Sequence, residues 1–381
     1  MSGRQSLWRT FPVIGFLVSE WQAWREEPSL PHFRLAPGPQ DGSKLSPYPI
    51  DMWPLLALPY GTLDEAGVFY AEAYGQFPAA YHPTNVAQYA LAQWNAYLTT
   101  GDERHRQAFM IQAQWLVEHE TPLADDMGGW PIPFANPDYY APEPWLSAMT
   151  QGEGISVLVR AYRLTGEEIF LHAARRAVRT FELDIRDGGV SAPIGEGGVF
   201  FEEVSVYPAA HILNGYLFAL YGLYDYVALT GDARIAALIR RSFATLHTLI
   251  QEFDAGYWSR YNLLHKHLAP RFYHALHITQ FEALARYSSC EHCAALAGRW
   301  RGYQQSLRCR VRYFIVSRLA RYRRGLRKLG IRGAISHIFR AGGQTALGSV
   351  YAPAHPIASS EYPQGNPHMR SPYEGGMKKW L

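Results

Sequence analysis

Apolar positions are scattered irregularly up to about residue 83, and a helical spacing sets in near Asn85. Three stretches are apolar almost all round: 86–91, 155–159 and 217–221. Two of them are followed by amphipathic stretches with one charged face, 170–174 and 235–239. A helix without a polar face is an inner helix, and one with a charged face is an outer helix, so the pattern predicts pairs. The turn inside each pair recurs as Leu98-Thr99-Thr100-Gly101-Asp102, Leu164-Thr165-Gly166-Glu167 and Leu229-Thr230-Gly231-Asp232, with the glycines 65 residues apart each time. Glycine ends the first helix in a left-handed cap, and the acid complements the positive end of the next. A second mark follows each pair: Asp126-Met127-Gly128-Gly129-Trp130, Asp187-Gly188-Gly189-Val190 and Asp254-Ala255-Gly256-Tyr257-Trp258, each leading into a short extended run. The predicted fold is mainly α, an incomplete (α/α) toroid or barrel of repeated helix pairs with short β-strands in the connecting loops. A superhelical solenoid is the rival architecture. A fourth, degenerate pair is expected from His277 to about Leu307. The expected organisation is an irregular segment over 1–83, the toroid over 84–307, and a basic helix with a loosely ordered tail over 308–381.

Composition fits a globular chain of 381 residues, with 48% apolar and 18% charged residues. The 25 Tyr and 11 Trp suit a carbohydrate groove as well as a core, because a flat ring packs on the C–H face of a sugar. The net charge of +3 hides an asymmetry: between Cys293 and Ser360 there are thirteen Lys or Arg and no acid. That segment reads first as a solvated basic helix. As a binding element it fits a membrane surface or a polysaccharide-assembly partner, and no nucleic acid is expected. The apolar run Phe11–Val18 is too short to span a bilayer, so the expected location is cytoplasmic, at most peripheral to a membrane. A homodimer is a candidate assembly.

The common chemistry-bearing signatures are missing: the chain has no P-loop, no dinucleotide-binding glycine fingerprint, no Gly-x-Ser-x-Gly elbow and no His-Glu-x-x-His. No organic cofactor is expected. His265, His267, His274 and His277 complete no known ligand set, so no metal is expected there either. Cys290-Glu291-His292-Cys293 has redox or half-zinc spacing, but no second Cys pair exists, and buried helical thiols are the expected reading. Three polar clusters lie between helices: 200–208, 257–262 and 271–280.

Those clusters carry a resemblance. Pro144-Trp145-Leu146-Ser147-Ala148-Met149-Thr150-Gln151-Gly152 is similar to the Trp-x-Ser-Ala-Met-x-Gln-Gly signature of the glucuronyl C5-epimerases. Leu213-Asn214-Gly215, Gly222-Leu223-Tyr224-Asp225, Tyr261-Asn262-Leu263 and Tyr273-His274-Ala275-Leu276-His277-Ile278-Thr279-Gln280 resemble further segments of that family, and Tyr81-His82-Pro83 adds an upstream match. The likeness runs over roughly residues 80–300 and implies a heparosan-type glucuronyl C5-epimerase, which turns D-glucuronate into L-iduronate within a polymer.

The reaction takes a proton from C5, α to the carboxylate, and returns one on the opposite face. It needs a base, an acid, and stabilisation of the charge that forms. In this family tyrosines and a glutamate fill those roles, and the match carries them to Tyr261, Tyr273 and Glu203. The family usually has Tyr directly after the second Glu of its pair. Here that residue is Val204, and Tyr207 is the substitute the spacing offers. The resemblance implies substrate contacts from Arg271, which would face the carboxylate, and from His274, His277, Trp145, Gln151 and Asn214. The rival functions are a polysaccharide lyase acting by β-elimination and a non-catalytic glycan-binding scaffold, for which Val204 is the best argument. A glycoside hydrolase lacks a convincing acid pair.

Overall fold

A computed structural model describes residues 33–38, 46–58, 60–73 and 77–320. The expectations for the first 32 residues and for the basic tail beyond residue 320 lie outside these.

Among the described residues, four helix pairs build the fold: α1 (Pro83–Thr100) with α2 (Glu103–Glu118), α3 (Ala148–Thr165) with α4 (Glu168–Arg179), α5 (Leu213–Thr230) with α6 (Ala233–Phe253), and α7 (Arg271–Ser288) with α8 (Glu291–Gln305). The odd-numbered helices form an inner row: α1 packs on α3, α3 on α5, and α5 on α7, while each even-numbered helix packs outside its partner. This is the mainly α, incomplete toroid that the apolar spacing predicts. A further helix over 307–320 follows α8. It lays Tyr313 on Trp258 at 4.4 Å and Arg312 over the Tyr257 ring at 4.0 Å. Among the described residues, no helix is long and apolar enough to cross a membrane.

The recurring turn has a local cause. Gly101, Gly166 and Gly231 cap their helices at φ 69°, 78° and 68°, which costs a residue with a Cβ dearly. The threonine hydroxyl before each glycine donates to the carbonyl four residues back, and then accepts from the N–H of the following acid. Asp102 and Asp232 cap the next helix through their carboxylates, whereas Glu167 makes no such bond. The fourth turn uses Ser289 at φ 50° and Cys290 as the cap instead. It stands 58 residues after Gly231, which is why the repeat fades there. The fourth pair begins at Arg271, six residues before the expected start.

After α2 and α4 the Gly-rich marks form antiparallel hairpins. The first pairs β5 (Thr121–Ala124) with β6 (Met127–Gly129), and the second pairs β7 (Ser191–Ile194) with β8 (Gly198–Phe201). After α6 there is no hairpin of named strands, but isolated bridges join Asp254 to Ser259 and Arg260 to Leu268. Upstream, β1 (Arg34–Leu35) pairs with β2 (Ile50–Asp51), and β3 (Gly61–Leu63) with β4 (Phe69–Ala71). The first of these hairpins touches both ends of the inner row: β1 and β2 pack on α7, and β2 also packs on α1. Phe33 meets Phe272 edge-on at 5.4 Å, and the Asn95 side chain bonds both backbone groups of Tyr48.

Inner helices α3 and α5 approach at two glycines. A Cβ on Gly222 would lie 2.1 Å from the Gly152 carbonyl oxygen, and one on Gly152 would lie 2.5 Å from the Ala219 Cα. Backbone opposes both, so neither clash can be relieved by a rotamer change. Gly222→Ala must separate the helices, and we expect a loss of about 1–3 kcal/mol in urea unfolding, the usual cost of an overpacked core. Gly298→Ala on outer α8, where a Cβ meets nothing, is the control.

A buried ion pair joins the same helices near their other end. Arg160 (α3) and Asp225 (α5) lie 2.5 Å apart and are almost fully buried. Ser156 donates to the same carboxylate at 2.7 Å and Tyr287 of α7 at 3.3 Å, while Arg160 also reaches the Pro47 carbonyl and lies over the Tyr48 ring. This network ties three inner helices and the upstream segment together at the C-terminal end of the row.

Candidate active site

The inner helices run parallel, so their N-terminal ends meet at one end of the toroid. There the positive poles of the helix dipoles favour an anion. Thr84 of α1 and Thr150 of α3 share a hydrogen bond of 2.6 Å at this end.

Two adjacent glutamates lead into α5. Glu202 is fully buried and is taken up by His211, whose N–H and Nδ1 reach its two carboxylate oxygens at 2.9 and 2.5 Å. Glu203 turns the other way. Its Oε2 accepts from Asn214 Nδ2 at 3.2 Å, and the Gly215 N–H donates to the same carboxylate. A Cβ on residue 215 would sit 2.3 Å from that oxygen, so Gly215 clears the space the carboxylate occupies. The Leu-Asn-Gly run is therefore a seat: Leu213 goes into the core, Asn214 donates, and Gly215 gives room. Burial, and next the charge of Glu202, push the Glu203 carboxyl up to about 8, against the two hydrogen bonds.

Tyr261 is brought beside Glu203 by pairing of its strand-like segment with the approach to α5. The Leu213 N–H donates to the Tyr261 carbonyl at 3.1 Å, and Ile212 bridges to Asn262. Tyr273, in the first turn of α7, meets the Tyr261 ring edge-on at 4.8 Å, and the two hydroxyls are hydrogen-bonded. A third phenol joins them. Tyr139 ends a short 3-10 turn, is buried, and accepts from Asn262 Nδ2 at 3.1 Å. Burial first and the Glu203 charge second hold the Tyr139 and Tyr261 hydroxyls well above the usual tyrosine range. They are proton donors in this setting, since a phenolate beside an ionised Glu203 is disfavoured.

Glu153 lies one level deeper, on the second turn of α3. Its side chain is fully buried, accepts from Gln88 of α1 at 3.1 Å, and leaves Oε2 without a protein partner. Burial keeps this carboxyl protonated well above its ordinary range. His82, the cap of α1, is half-buried, and burial of its ring lowers it to about 4, so it is neutral.

Of the residues expected at the site, Glu203, Tyr261, Tyr273 and Asn214 come together. The others make the following contacts. Tyr207 lies under Arg186, whose guanidinium is 5.5 Å from the ring centre. Trp145 is buried in an apolar cluster, and its Nε1 donates to the Phe134 carbonyl at 2.9 Å. Gln151 is fully buried and holds the β5–β6 hairpin to α3: it accepts from the Trp130 N–H at 3.0 Å and donates to the Gly128 carbonyl at 3.2 Å. Arg271 opens α7 beside Arg310 and Tyr313 of the last helix, and burial lowers its guanidinium to about 10. His274 and His277 are fully buried around the Ser259 hydroxyl, at 2.8 and 3.0 Å. His274 Nε2 donates to the Trp300 carbonyl, and its ring stacks on Trp258 at 3.8 Å. Burial drives both imidazoles to the neutral form. Cys290 and Cys293, expected as thiols, are joined in a disulfide.

Tyr139, Asn262 and Glu153 were not picked out from the sequence. Asn262 lies inside the recognised Tyr-Asn-Leu run, and Glu153 directly follows the Trp-x-Ser-Ala-Met-x-Gln-Gly signature. Tyr139 sits in a Pro-rich loop with no such flag. Val204, where the resemblance calls for a tyrosine, is buried in the same apolar cluster as Tyr139.

Residues 124–302 match the family model described as D-glucuronyl C5-epimerase C-terminus. The chain is 33% identical over 235 residues to a D-glucuronyl C5-epimerase of Caenorhabditis elegans, an alignment that takes in 56% of this chain and spans 37% of the length of that relative. It is 26% identical over 214 residues to an uncharacterized protein of Methanocaldococcus jannaschii, covering 52% of this chain and 69% of that one. A family 76 α-mannanase of Bacteroides thetaiotaomicron matches in structure with a TM-score of 0.43 at 12% identity, over 63% of this chain and 62% of that one.

Proposed function

Because residues 124–302 belong to the family of D-glucuronyl C5-epimerase C-terminal domains, we propose that the chain inverts C5 of a uronic acid within an anionic polysaccharide, converting D-glucuronate to L-iduronate residues in a heparosan-like or exopolysaccharide polymer. The observation that carries this reading is the Glu203 carboxyl set among Tyr139, Tyr261 and Tyr273 at the N-terminal ends of the inner helices.

The chemistry assigns each group a job. Ionised Glu203 takes the C5 proton from one face. The electron pair left behind moves onto the C6 carboxylate, and the positive helix ends and phenol hydroxyls stabilise the added charge. A tyrosine on the other face then gives its O–H proton to C5. This leaves a phenolate and a protonated Glu203, which exchange with solvent to restore the starting state. A carboxyl near 8 is a stronger base than an ordinary one and still ionises within reach of neutral pH. We assign the donor role to Tyr261 with Tyr273, and we place Tyr139 where the resemblance calls for a tyrosine after Glu203.

The test is NMR of heparosan and related polyuronates incubated with the protein in deuterated water. Deuterium at C5 together with iduronate signals supports the proposal, and Tyr261→Phe and Tyr273→Phe should each lower the exchange rate by about 10²–10⁴-fold. Tyr139→Phe is expected to lower it too, while Tyr207→Phe leaves it unchanged. Exchange with chain cleavage and an unsaturated uronate would replace the proposal with a lyase. Polymer binding without exchange would leave a scaffold.

A further inference from the structure

Cys290 is the N-cap of α8, and its Sγ accepts from the Cys293 N–H at 3.1 Å. The disulfide between them spans three residues, with Cα atoms 5.3 Å apart. That bridge uses two of the four donor-bearing side chains gathered here. The third, His247, comes from the middle of outer helix α6 and brings Nε2 to 3.7 Å from Cys290 Sγ. The fourth, His292, is exposed on α8 with its ring 5.1 Å from that of His247; it stands outside the close group of three donors and has to turn inward to supply a ligand. His247 Nε2 and the two sulfurs all fall within 4.8 Å of one another. With metal–sulfur bonds of about 2.3 Å and metal–nitrogen bonds of about 2.0–2.1 Å, two corners of a tetrahedral site stand about 3.5 Å apart, close to the sulfur–nitrogen separation here. A disulfide gives no reason for a histidine of another helix to stand at that distance.

We propose that in the reduced chain Cys290, Cys293, His247 and His292 bind one zinc ion that clamps outer helix α6 to outer helix α8. Thiolates with imidazoles in a tetrahedral set favour zinc over calcium or magnesium, which prefer oxygen donors. Forming the site from the disulfide takes two electrons and two protons from an external dithiol. The two resulting thiols then each release a proton to solvent as the metal binds. With four protein ligands the ion has no open position, so its work is structural and is separate from the Glu203 site. Half-buried Cys290 and exposed His247 give the ion a route in, while Cys293 is buried beneath them.

The full-length chain, reduced with dithiothreitol and freed of it without air, is titrated with cobalt(II) and assayed for zinc. The expected results are one zinc per chain and a thiolate-to-cobalt charge-transfer band that saturates at one equivalent. Cys290→Ser should remove the band. His247→Ala, at an exposed position, should weaken the metal by tenfold or more while circular dichroism stays unchanged. Wild-type melting should rise on adding zinc and fall back with a chelator, and Cys290→Ser should respond to neither. The proposal is overturned if the reduced wild type binds no more metal than Cys290→Ser, if His247→Ala binds as tightly as wild type, or if the Cys290–Cys293 bridge resists dithiothreitol in the folded chain.

Discussion

Glu203→Gln is expected to lower C5 exchange by at least about 10²–10⁴-fold while making the protein harder to melt at pH 9. The first effect follows from the role of base proposed for it: an amide keeps the shape and the seat on Asn214 and Gly215 but cannot take a proton. The second comes from linkage. The carboxyl stands at about 8 in the folded chain against an ordinary 4.5, so between those values the native state holds a proton that the unfolded chain has lost. Stability from this group is therefore complete below about pH 4.5, falls as pH rises, and is fully lost above about pH 8. Glutamine never pays that ionisation. Wild-type activity should climb through about pH 8 as the base ionises, and the melting temperatures of wild type and variant should separate over the same rise in pH. A variant that is inactive yet no more stable than wild type at pH 9 would remove Glu203 from the buried position assigned to it. C5 exchange by NMR and calorimetric melting from pH 5 to 9 read the two effects separately.

Asp225→Asn is expected to cost about 3–5 kcal/mol in urea unfolding, because it leaves the Arg160 charge buried and unpaired. The pair is inside three helices, and water cannot reach the guanidinium to compensate. Replacing both partners at once, as Arg160→Met with Asp225→Leu, removes the stranded charge and should recover most of the loss. If Asp225→Asn alone unfolds at the wild-type urea concentration, the pair does not hold α3, α5 and α7 together. Asp225 belongs to the Gly-Leu-Tyr-Asp run that the sequence matches to an epimerase segment, yet its work is architectural, ten residues along α5 from Gly215, which seats Glu203.

That contrast runs through the whole site. The helix pairs were legible because their cause is local: a Thr, a left-handed Gly and an acid end one helix and begin the next. The fourth pair blurred because Ser289 and Cys290 do the same work with other side chains. Motif matches located Glu203, Tyr261, Tyr273 and Asn214, but a motif does not say which way a side chain turns. Gln151, His274 and His277 stand in the same motifs and turn polar atoms to Gly128, Trp130, Trp300 and Ser259, while His277 Nε2 is buried without a protein partner. Arg271 stands two residues before Tyr273 on α7 and lies near Arg310 and Tyr313 of the helix over 307–320, a contact no spacing rule foretells. Tyr139 was invisible for the opposite reason. Its partner Asn262 is 123 residues downstream, and only the folded chain brings them together.

The network of Arg160, Asp225, Ser156, Tyr287 and Tyr48 fills the space between α3, α5 and α7 with polar and aromatic groups, away from the N-terminal ends of the inner helices. On the proposed function, a polymer would meet Glu203 from the N-terminal ends of the inner helices, on the side away from this network. A long chain would then lie across that end and present one sugar at a time, with both of its tails outside. An enzyme so built would not count from a terminus, and its marks would be scattered along the polymer.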